Sequence, residues 1–122
     1  VITPHLGEFA RLMDLNRTDV GSHIQESLSE LTEQGLTVVL KGATTITCAK
    51  GRMMLSSEGN PGLATAGTGD VLSGIIAGLM GQGLDVFTAA HKGVLLHSLA
   101  ADKAREAKGE RALIASDLIS YL

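Results

Sequence analysis

Aromatic residues and cysteine are scarce in this sequence. Its 122 residues include no Trp, one Tyr and two Phe, so aliphatic side chains and alanine have to fill the core. The single cysteine, Cys48, excludes an intrachain disulfide. Because proteins of reducing compartments rarely contain disulfides, we expect a cytoplasmic protein.

An excess of positive charge and long hydrophobic runs are also lacking. The formal net charge is −3, which gives no reason to expect nucleic acid or an anionic membrane as a partner. The longest apolar stretch, residues 71–80, is interrupted by Ser73, Gly74 and Gly78, and a membrane-spanning helix needs roughly 18 apolar residues. No basic and then apolar leader opens the sequence, and it begins with Val1 instead of Met, which predicts a fragment of a longer chain.

The order of hydrophobic patterns predicts an α/β fold of short adjacent strands and helices. Strands are expected at residues 1–3, 36–40, 44–48 and 52–55, with Gly51 turning the chain between the last two. Helices are expected at residues 7–13, 70–80, 85–107 and 116–122. A further helix, the second along the chain, is expected to begin at a cap residue, Thr18 or Ser22, and to end at Gly35.

The sequence predicts further details for two of these helices. Ser22 and Gln25 have the spacing of a capping box at the start of the second helix. The helix over residues 70–80 is apolar on all sides, so we expect it to be mostly buried. Gly74 and Gly78, one turn apart, are expected to admit a closely packed neighbour.

A loop rich in glycine, residues 57–69, runs directly into the helix predicted to start at Asp70. Backbone N–H groups at a helix N-terminus have no partner inside the helix, and the helix dipole favours negative charge there. Gly67 and Gly69 allow the backbone to approach a phosphate with no Cβ in the way. The loop therefore predicts an anion hole for a phosphoryl group in transfer.

Asp70 is the candidate catalytic residue. A carboxylate at this helix start would repel a bound phosphate, so it makes sense as a base that deprotonates a hydroxyl attacking that phosphate. The pattern leaves a second interpretation open, in which Asp70 is a helix N-cap and the glycines are turn residues.

The sequence resembles a known family along its whole length. Residues 67–70, Gly-Thr-Gly-Asp, match the anion-hole motif of ribokinase-like kinases, and residues 59–78 resemble the longer string that NAD(P)H-hydrate dehydratases carry there. The likeness extends from Thr-Pro-His at residues 3–5 to Ala-Ser-Asp-Leu at residues 115–118. It implies that residues 1–122 form one domain, the C-terminal half of a three-layer α/β/α ribokinase-like fold.

The resemblance assigns roles to individual residues. Asp70 becomes the base and contacts the substrate, and His5 contacts the hydrated nicotinamide. The residues implied in nucleotide binding are Lys41, Gly42, Ala43, Thr44, Thr45 and Gly69, and those implied in the anion hole are Gly67, Thr68 and Gly69. No protein metal ligand is implied. Without the family, His5 is also consistent with an ordinary surface histidine, and Lys41 with a solvated lysine in a hairpin.

The sequence departs from the family pattern at two positions near these residues. Leu6 stands where the family usually has Pro, so the segment after His5 is expected to be less rigid. Ala66 stands where the family often has Gly, which requires a negative φ at that position.

The remaining titratable residues predict no site. His91 and His97 lie on the helix after the motif without a convergent partner that would make a zinc site, and His97 is expected to be packed. Glu8 and Asp14 are expected to be charges at helix ends, and Cys48 a small buried residue.

The family's reaction returns the 6-hydroxy forms of NADH and NADPH, called NADHX and NADPHX, to the working cofactors. The resemblance implies a kinase-like reaction with ADP as co-substrate and Mg²⁺ on the nucleotide phosphates. ADP is favoured over ATP because eukaryotic ATP-using relatives carry Gln at the position of Thr68. The family also implies a homo-oligomer, a tetramer.

Two alternatives stay open at this stage. A ribokinase-like kinase for a small vitamin-precursor alcohol would share residues 67–70 and the same base. A nucleotide-sensing or structural module could keep the fold without catalysis, although such a module has no need of Asp70.

Overall fold

Three strands and five α-helices make up the part of the chain that the computed structural model describes, residues 1–16 and 18–122. The elements, in chain order, are α1 (Leu6–Leu12), α2 (Val20–Glu33), β1 (Val38–Leu40), β2 (Thr45–Ala49), β3 (Arg52–Ser56), α3 (Thr68–Gly81), α4 (Val86–Lys108) and α5 (Ala115–Ile119). Two short 3₁₀ turns also occur, Pro61–Ala64 before α3 and Glu110–Ala112 between α4 and α5. The chain divides into two compact units, Val1–Ser56 and Ser57–Leu122.

The first unit contains an antiparallel sheet in the order β1-β2-β3. Val38 lies opposite Cys48, and Cys48 lies opposite Met53. Gly51 turns the chain between β2 and β3 with φ +71°, as predicted. Because side chains alternate along a strand, one face of the sheet packs against the two helices of this unit. That core comprises Phe9, Ala10, Val20, Leu28, Leu31, Val38, Leu40 and Cys48.

The N-terminal segment runs parallel to β1 but does not form the strand predicted at residues 1–3. Ile2 and His5 make isolated parallel bridges to Val38 and Lys41. The Ile2 amide donates to the Thr37 carbonyl oxygen over 3.0 Å. Pro4 has no N–H, so a continuous ladder cannot form.

The start of α2 differs from the predicted capping box. The helix begins at Val20, and Ser22 lies inside it. The Ser22 hydroxyl donates to the Asp19 carbonyl oxygen over 2.8 Å and caps no amide. This return bond to the preceding turn is a common alternative for a serine in a helix.

The second unit is built on α3, α4 and α5. Asp85 caps α4 as predicted, and its carboxylate accepts from the Thr88 amide over 3.1 Å. The small residues of α4 let its neighbours approach, and its Ala100, Ala101 and Ala104 pack with Leu113 and Leu118.

The burial predicted for α3 was wrong. Its buried residues, Thr68, Leu72 and Ile76, lie on one face only. A Cβ at Gly74 or Gly78 would meet nothing within 4 Å. Gly93 on α4 makes the close approach instead, since a Cβ there would lie 2.6 Å from Cγ1 of Ile76.

None of the described helices is long and apolar enough to cross a membrane.

Asp117 anchors α5 through a titratable ion pair. Its carboxylate bonds the Lys108 ammonium and accepts from the Ile114 amide over 3.1 Å. The hydrogen bond from Lys108 holds the pKa of Asp117 below its ordinary value, and the Ile114 amide acts in the same direction. A lowered pKa stabilises the fold above the ordinary value of about 4, and this stabilisation is lost as the pH falls through the folded-state value.

We therefore expect Asp117→Asn to lower the thermal midpoint at neutral pH and to flatten its decline in acid. Thermal unfolding measured from pH 7 to pH 3 checks this. Glu106→Gln removes an exposed carboxylate from α4 and is the control. A difference in thermal midpoint between wild type and Asp117→Asn that stays constant from pH 7 to pH 3 would contradict the ion pair.

Candidate functional site

The glycine-rich loop before α3 is fixed by Asn60. The Asn60 side chain donates to Asp102 Oδ1 on α4 over 2.9 Å and accepts from the Gly62 amide over 3.1 Å. A Cβ at Gly62 would lie 2.8 Å from Asn60 Oδ1, so a larger residue there would displace the Asn60 side chain. The Asn-Pro-Gly part of the family string therefore holds the loop on α4.

Thr68 closes the loop from the other end. Its hydroxyl lies 2.7 Å from the carbonyl oxygen of Leu63 and 2.9 Å from that of Thr65. The residue is 5% exposed. Its side chain thus faces the loop interior, and its own N–H donates to the Thr65 carbonyl oxygen, so neither donor of the predicted anion-hole residue Thr68 is open to an anion.

The first turn of α3 presents open backbone donors. Gly67 is the N-cap, with φ +88°, a left-handed conformation that favours glycine. Thr68 N–H and Asp70 N–H donate to the carbonyl oxygens of Thr65 and Gly67. Gly67 N–H and Gly69 N–H have no acceptor among residues 1–16 and 18–122. Helix N-termini with open amides bind anions.

Ala66 does not disturb this turn. Within the described part of the chain, Asp14 is the one non-glycine residue with positive φ, so Ala66 has the negative φ that its Cβ requires.

Asp70 is not the N-cap, so that part of the alternative interpretation was wrong. The helix starts two residues earlier than predicted, and Asp70 is its third residue. Its side chain is exposed, and its carboxylate has no hydrogen-bond partner in the described residues. An unpaired carboxylate next to open amides is free to accept a proton from a bound hydroxyl.

His5 caps α1. Its Nδ1 accepts from the amides of Gly7 and Glu8 over 3.1 and 3.2 Å, and its own amide donates to Glu8 Oε2 over 2.8 Å. This bond from the His5 backbone lowers the pKa of Glu8. Glu8 is thus a charge at the end of a helix, as expected. Because Nδ1 accepts, the neutral ring carries its proton on Nε2, 3.3 Å from Glu8 Oε1.

The described units gather the predicted residues into two groups. In the first unit, His5 pairs with Lys41, whose amide donates to the Pro4 carbonyl oxygen over 2.8 Å. Lys41 opens the turn that leads through residues 42–44 to Thr45, the first residue of β2. The second unit contains Gly67, Thr68, Gly69 and Asp70 in one helical turn.

Leu6 occupies the first position of α1, where the usual proline of the family would be favourable. An N–H at this position has no helical acceptor, and His5 has φ −82° and ψ 168°, which suits a following proline. We expect Leu6→Pro to raise the free energy of unfolding by about 0.4–1 kcal/mol, because proline restricts the unfolded chain.

Denaturant unfolding checks this expectation. Leu6→Ala is the control, since it removes the same half-exposed side chain without fixing φ. Equal stability of the two variants would contradict the backbone explanation.

Sequence reasoning missed two contacts that shape the loop. His97 is 7% exposed, as expected for a packed residue, but its Nε2 also lies 2.8 Å from the Thr68 carbonyl oxygen. The Asn60–Asp102 bond joins residues 42 positions apart. Rules based on the spacing of nearby residues cannot predict contacts between residues so far apart in the sequence.

In the described residues, no group of three or more His, Cys, Asp or Glu side chains could hold a metal ion. Mg²⁺ in phosphoryl-transfer sites is held largely by substrate phosphates and water, with one or two carboxylates.

Sequence comparisons place the chain among known proteins. A sequence model described as NAD(P)H-hydrate dehydratase matches residues 1–122. The bifunctional NAD(P)H-hydrate repair enzyme of Moorella thermoacetica is 45% identical over 128 residues, covering 100% of the chain and 23% of that protein. The ADP-dependent (S)-NAD(P)H-hydrate dehydratase of Neisseria meningitidis is 41% identical over 111 residues, covering 89% of the chain and 38% of that protein.

Solved structures give the same result. The ADP/ATP-dependent NAD(P)H-hydrate dehydratase from Bacillus subtilis matches with a TM-score of 0.88 and 32% identity, over 99% of the chain and 46% of that structure. A ribokinase-like superfamily protein from Enterococcus faecalis matches with a TM-score of 0.74 and 33% identity, over 99% of the chain and 44% of that structure. The chain thus spans between 23% and 46% of these relatives.

Proposed function

This chain belongs to the NAD(P)H-hydrate dehydratase family, and we propose that it supplies the base and the phosphoryl-binding turn for ADP-dependent dehydration of (S)-NADHX and NADPHX. Its fold is the ribokinase-like α/β fold. One observation carries the proposal. The exposed, unpaired carboxylate of Asp70 lies in the same helical turn as the open amides of Gly67 and Gly69.

The proposed reaction has two steps. Asp70 takes the proton of the C6 hydroxyl of the hydrated ring, and the hydroxyl oxygen bonds to the terminal phosphorus of ADP while AMP leaves. The open amides of Gly67 and Gly69 would stabilise the charge on the phosphoryl group in transit. The phosphate then leaves C6 and a proton leaves C5, which restores the dihydropyridine ring.

The first unit is proposed to bind the remaining parts of the ligands. Lys41, Gly42, Ala43, Thr44 and Thr45 would line the AMP part of the nucleotide, where a lysine and backbone donors suit a phosphate. His5 would contact the nicotinamide through Nε2–H, since Nδ1 already accepts from the backbone of α1, and Nε2–H would then turn away from Glu8 Oε1, 3.3 Å away. Mg²⁺ would neutralise the nucleotide phosphates, and the Bacillus subtilis relative was co-crystallised with ATP and Mg²⁺.

The preference for ADP has to be explained without direct contact from the Thr68 hydroxyl. That hydroxyl is bonded within the loop, so it is not directed at a nucleotide. A glutamine at this buried position would need a rearranged loop, and the proposed difference between ADP and ATP users would then lie in the loop backbone.

A dehydratase assay on the full-length protein tests the proposal. Hydrated NADH is incubated with Mg²⁺ and either ADP or ATP, and the return of dihydronicotinamide absorbance is followed. We expect absorbance to return with ADP, together with AMP and inorganic phosphate. No return with either nucleotide, from folded protein that binds nucleotide, would overturn the proposal.

A kinase for a small vitamin-precursor alcohol is the second candidate, because it would use the same turn and the same base. A phosphorylated product that persists would identify it. The absence of any reaction from nucleotide-bound protein would favour a sensing or structural module.

Assembly and location also remain proposals. The family resemblance predicts a homo-oligomer, a tetramer, and a cytoplasmic enzyme. Sedimentation velocity on the full-length protein gives its mass in solution, and a monomer at micromolar concentration would contradict the first prediction.

A further inference from the structure

We propose that His97 is a positioning residue that orients the Thr68–Gly69 peptide, so that Gly69 N–H faces the phosphoryl group in transfer. This inference rests on the proposed function for its catalytic readout. His97 itself would contact neither substrate nor nucleotide.

The contact between His97 and Thr68 is buried and short. His97 Nε2 lies 2.8 Å from the Thr68 carbonyl oxygen, and the two residues are 7% and 5% exposed. A carbonyl oxygen can only accept, so His97 Nε2 carries the proton and donates. Burial protects this bond from competition with water, and loss of its donor would leave a buried carbonyl oxygen with fewer partners.

Peptide planarity transmits this contact to Gly69. In a trans peptide the C=O and N–H bonds point in opposite directions in one plane. A donor that holds the Thr68 carbonyl oxygen against α4 therefore fixes the direction of Gly69 N–H. That N–H has no acceptor among the described residues, so it is open to a ligand. Hydrogen bonds in a chain also polarise one another, so the bond from His97 makes Gly69 N–H a stronger donor.

The packing of α3 on α4 places His97 within reach of Thr68. Gly93 lies one helical turn before His97 and allows Ile76 of α3 to approach. The Thr68 hydroxyl independently fixes the loop side of the same turn. Thr68 is therefore held both through its side chain and through its carbonyl oxygen, with only the amide of the next residue open.

The test compares His97→Leu with His97→Gln in the full-length protein. Leucine fills the space without a donor, whereas the glutamine amide nitrogen can take the place of Nε2. Loss of a single donor to a developing oxyanion lowers kcat by about 10²–10³-fold. A Gly69 N–H that is present but points in the wrong direction should lower kcat by less, roughly 10–100-fold. We expect this fall in kcat for His97→Leu, little change in the Kd for ADP, and recovery of most of the loss in His97→Gln.

Phe87→Leu is the matched control for stability. Phe87 is buried on the same helix, ten residues from His97, which corresponds to about 15 Å along the axis. Its replacement should lower the thermal midpoint without lowering kcat at a temperature where every variant is folded. An unchanged kcat in His97→Leu, or an equal fall in Phe87→Leu, would overturn the inference.

A second readout separates this inference from the proposed function. In protein labelled with ¹⁵N-glycine, the Gly69 amide resonance should shift when ADP and Mg²⁺ are added, and this shift should be lost in His97→Leu but kept in His97→Gln. If wild type binds ADP with this shift but does not dehydrate NADHX, the proposed function fails and the positioning role stands. If His97→Leu keeps the wild-type shift, the positioning role fails whatever the activity.

Discussion

Asp70→Asn is expected to lower kcat for NADHX dehydration by about 10²–10⁴-fold, the usual contribution of a positioned general base. The amide has nearly the same shape as the carboxylate but cannot accept the substrate proton. The Asp70 side chain makes no hydrogen bond within the described structure, so the change should leave the fold intact. ADP affinity should stay the same or rise slightly, because a negative charge near the nucleotide phosphates is removed.

Steady-state kinetics and calorimetric titration of ADP measure these two effects. Glu58→Gln is the matched control, since it removes the same charge from an exposed side chain in the loop before α3. Its kcat should stay within about twofold of wild type, as surface changes usually have small effects. A kcat above one tenth of wild type for Asp70→Asn would exclude Asp70 as the base.

Gly93→Val is expected to cause the largest loss of stability, about 3 kcal/mol, at the upper end of typical values for an overpacked core. Its Cβ would lie 2.6 Å from Cγ1 of Ile76, and 3.6 Å from the Ile76 backbone nitrogen and Cα. The branched methyl groups would extend further into α3. Ile76 is 1% exposed, and because close-packed cores leave little free volume, the helices would have to separate.

Denaturant unfolding of the full-length protein measures this effect. Gly78→Ala, on the neighbouring α3, is the control, because a Cβ there meets nothing within 4 Å. Alanine is favoured over glycine inside a helix by about 1 kcal/mol, so this variant should be slightly more stable than wild type. If Gly78→Ala destabilised the protein and Gly93→Val did not, the assignment of the close helix contact would be wrong.

Some features set by neighbours in sequence were predicted correctly, although the capping box at Ser22 was not. Asp85 caps α4, and Gly51 turns the chain between β2 and β3. Each depends on backbone geometry and hydrogen bonds within about four residues, so residue type and spacing carry the information. The proposed anion-binding role of residues 67–70 also came from local sequence, since it was argued from glycine placement before a helix.

Features set by tertiary packing could not be read in the same way. The apolar composition of α3 predicted burial on most sides, yet only the face with Leu72 and Ile76 is covered. When a helix is apolar on all sides, its buried face is set by the element that packs against it. The sequence of the helix does not indicate which element that is. The same limit explains why Gly74 and Gly78 looked like contact residues while Gly93 makes the contact.

The sequence by itself indicated the family, and it predicted the phosphoryl-binding turn and the candidate base, because residues 67–70 are contiguous and their chemistry is local. Only the tertiary structure decided that Asp70 is the unpaired third residue of α3 and that the Thr68 hydroxyl faces the loop interior. The tertiary structure was also needed to show that His97 bonds the Thr68 carbonyl oxygen, 29 positions earlier in the sequence. The direction of a side chain and its distant partner depend on how the helices pack, which no local spacing specifies.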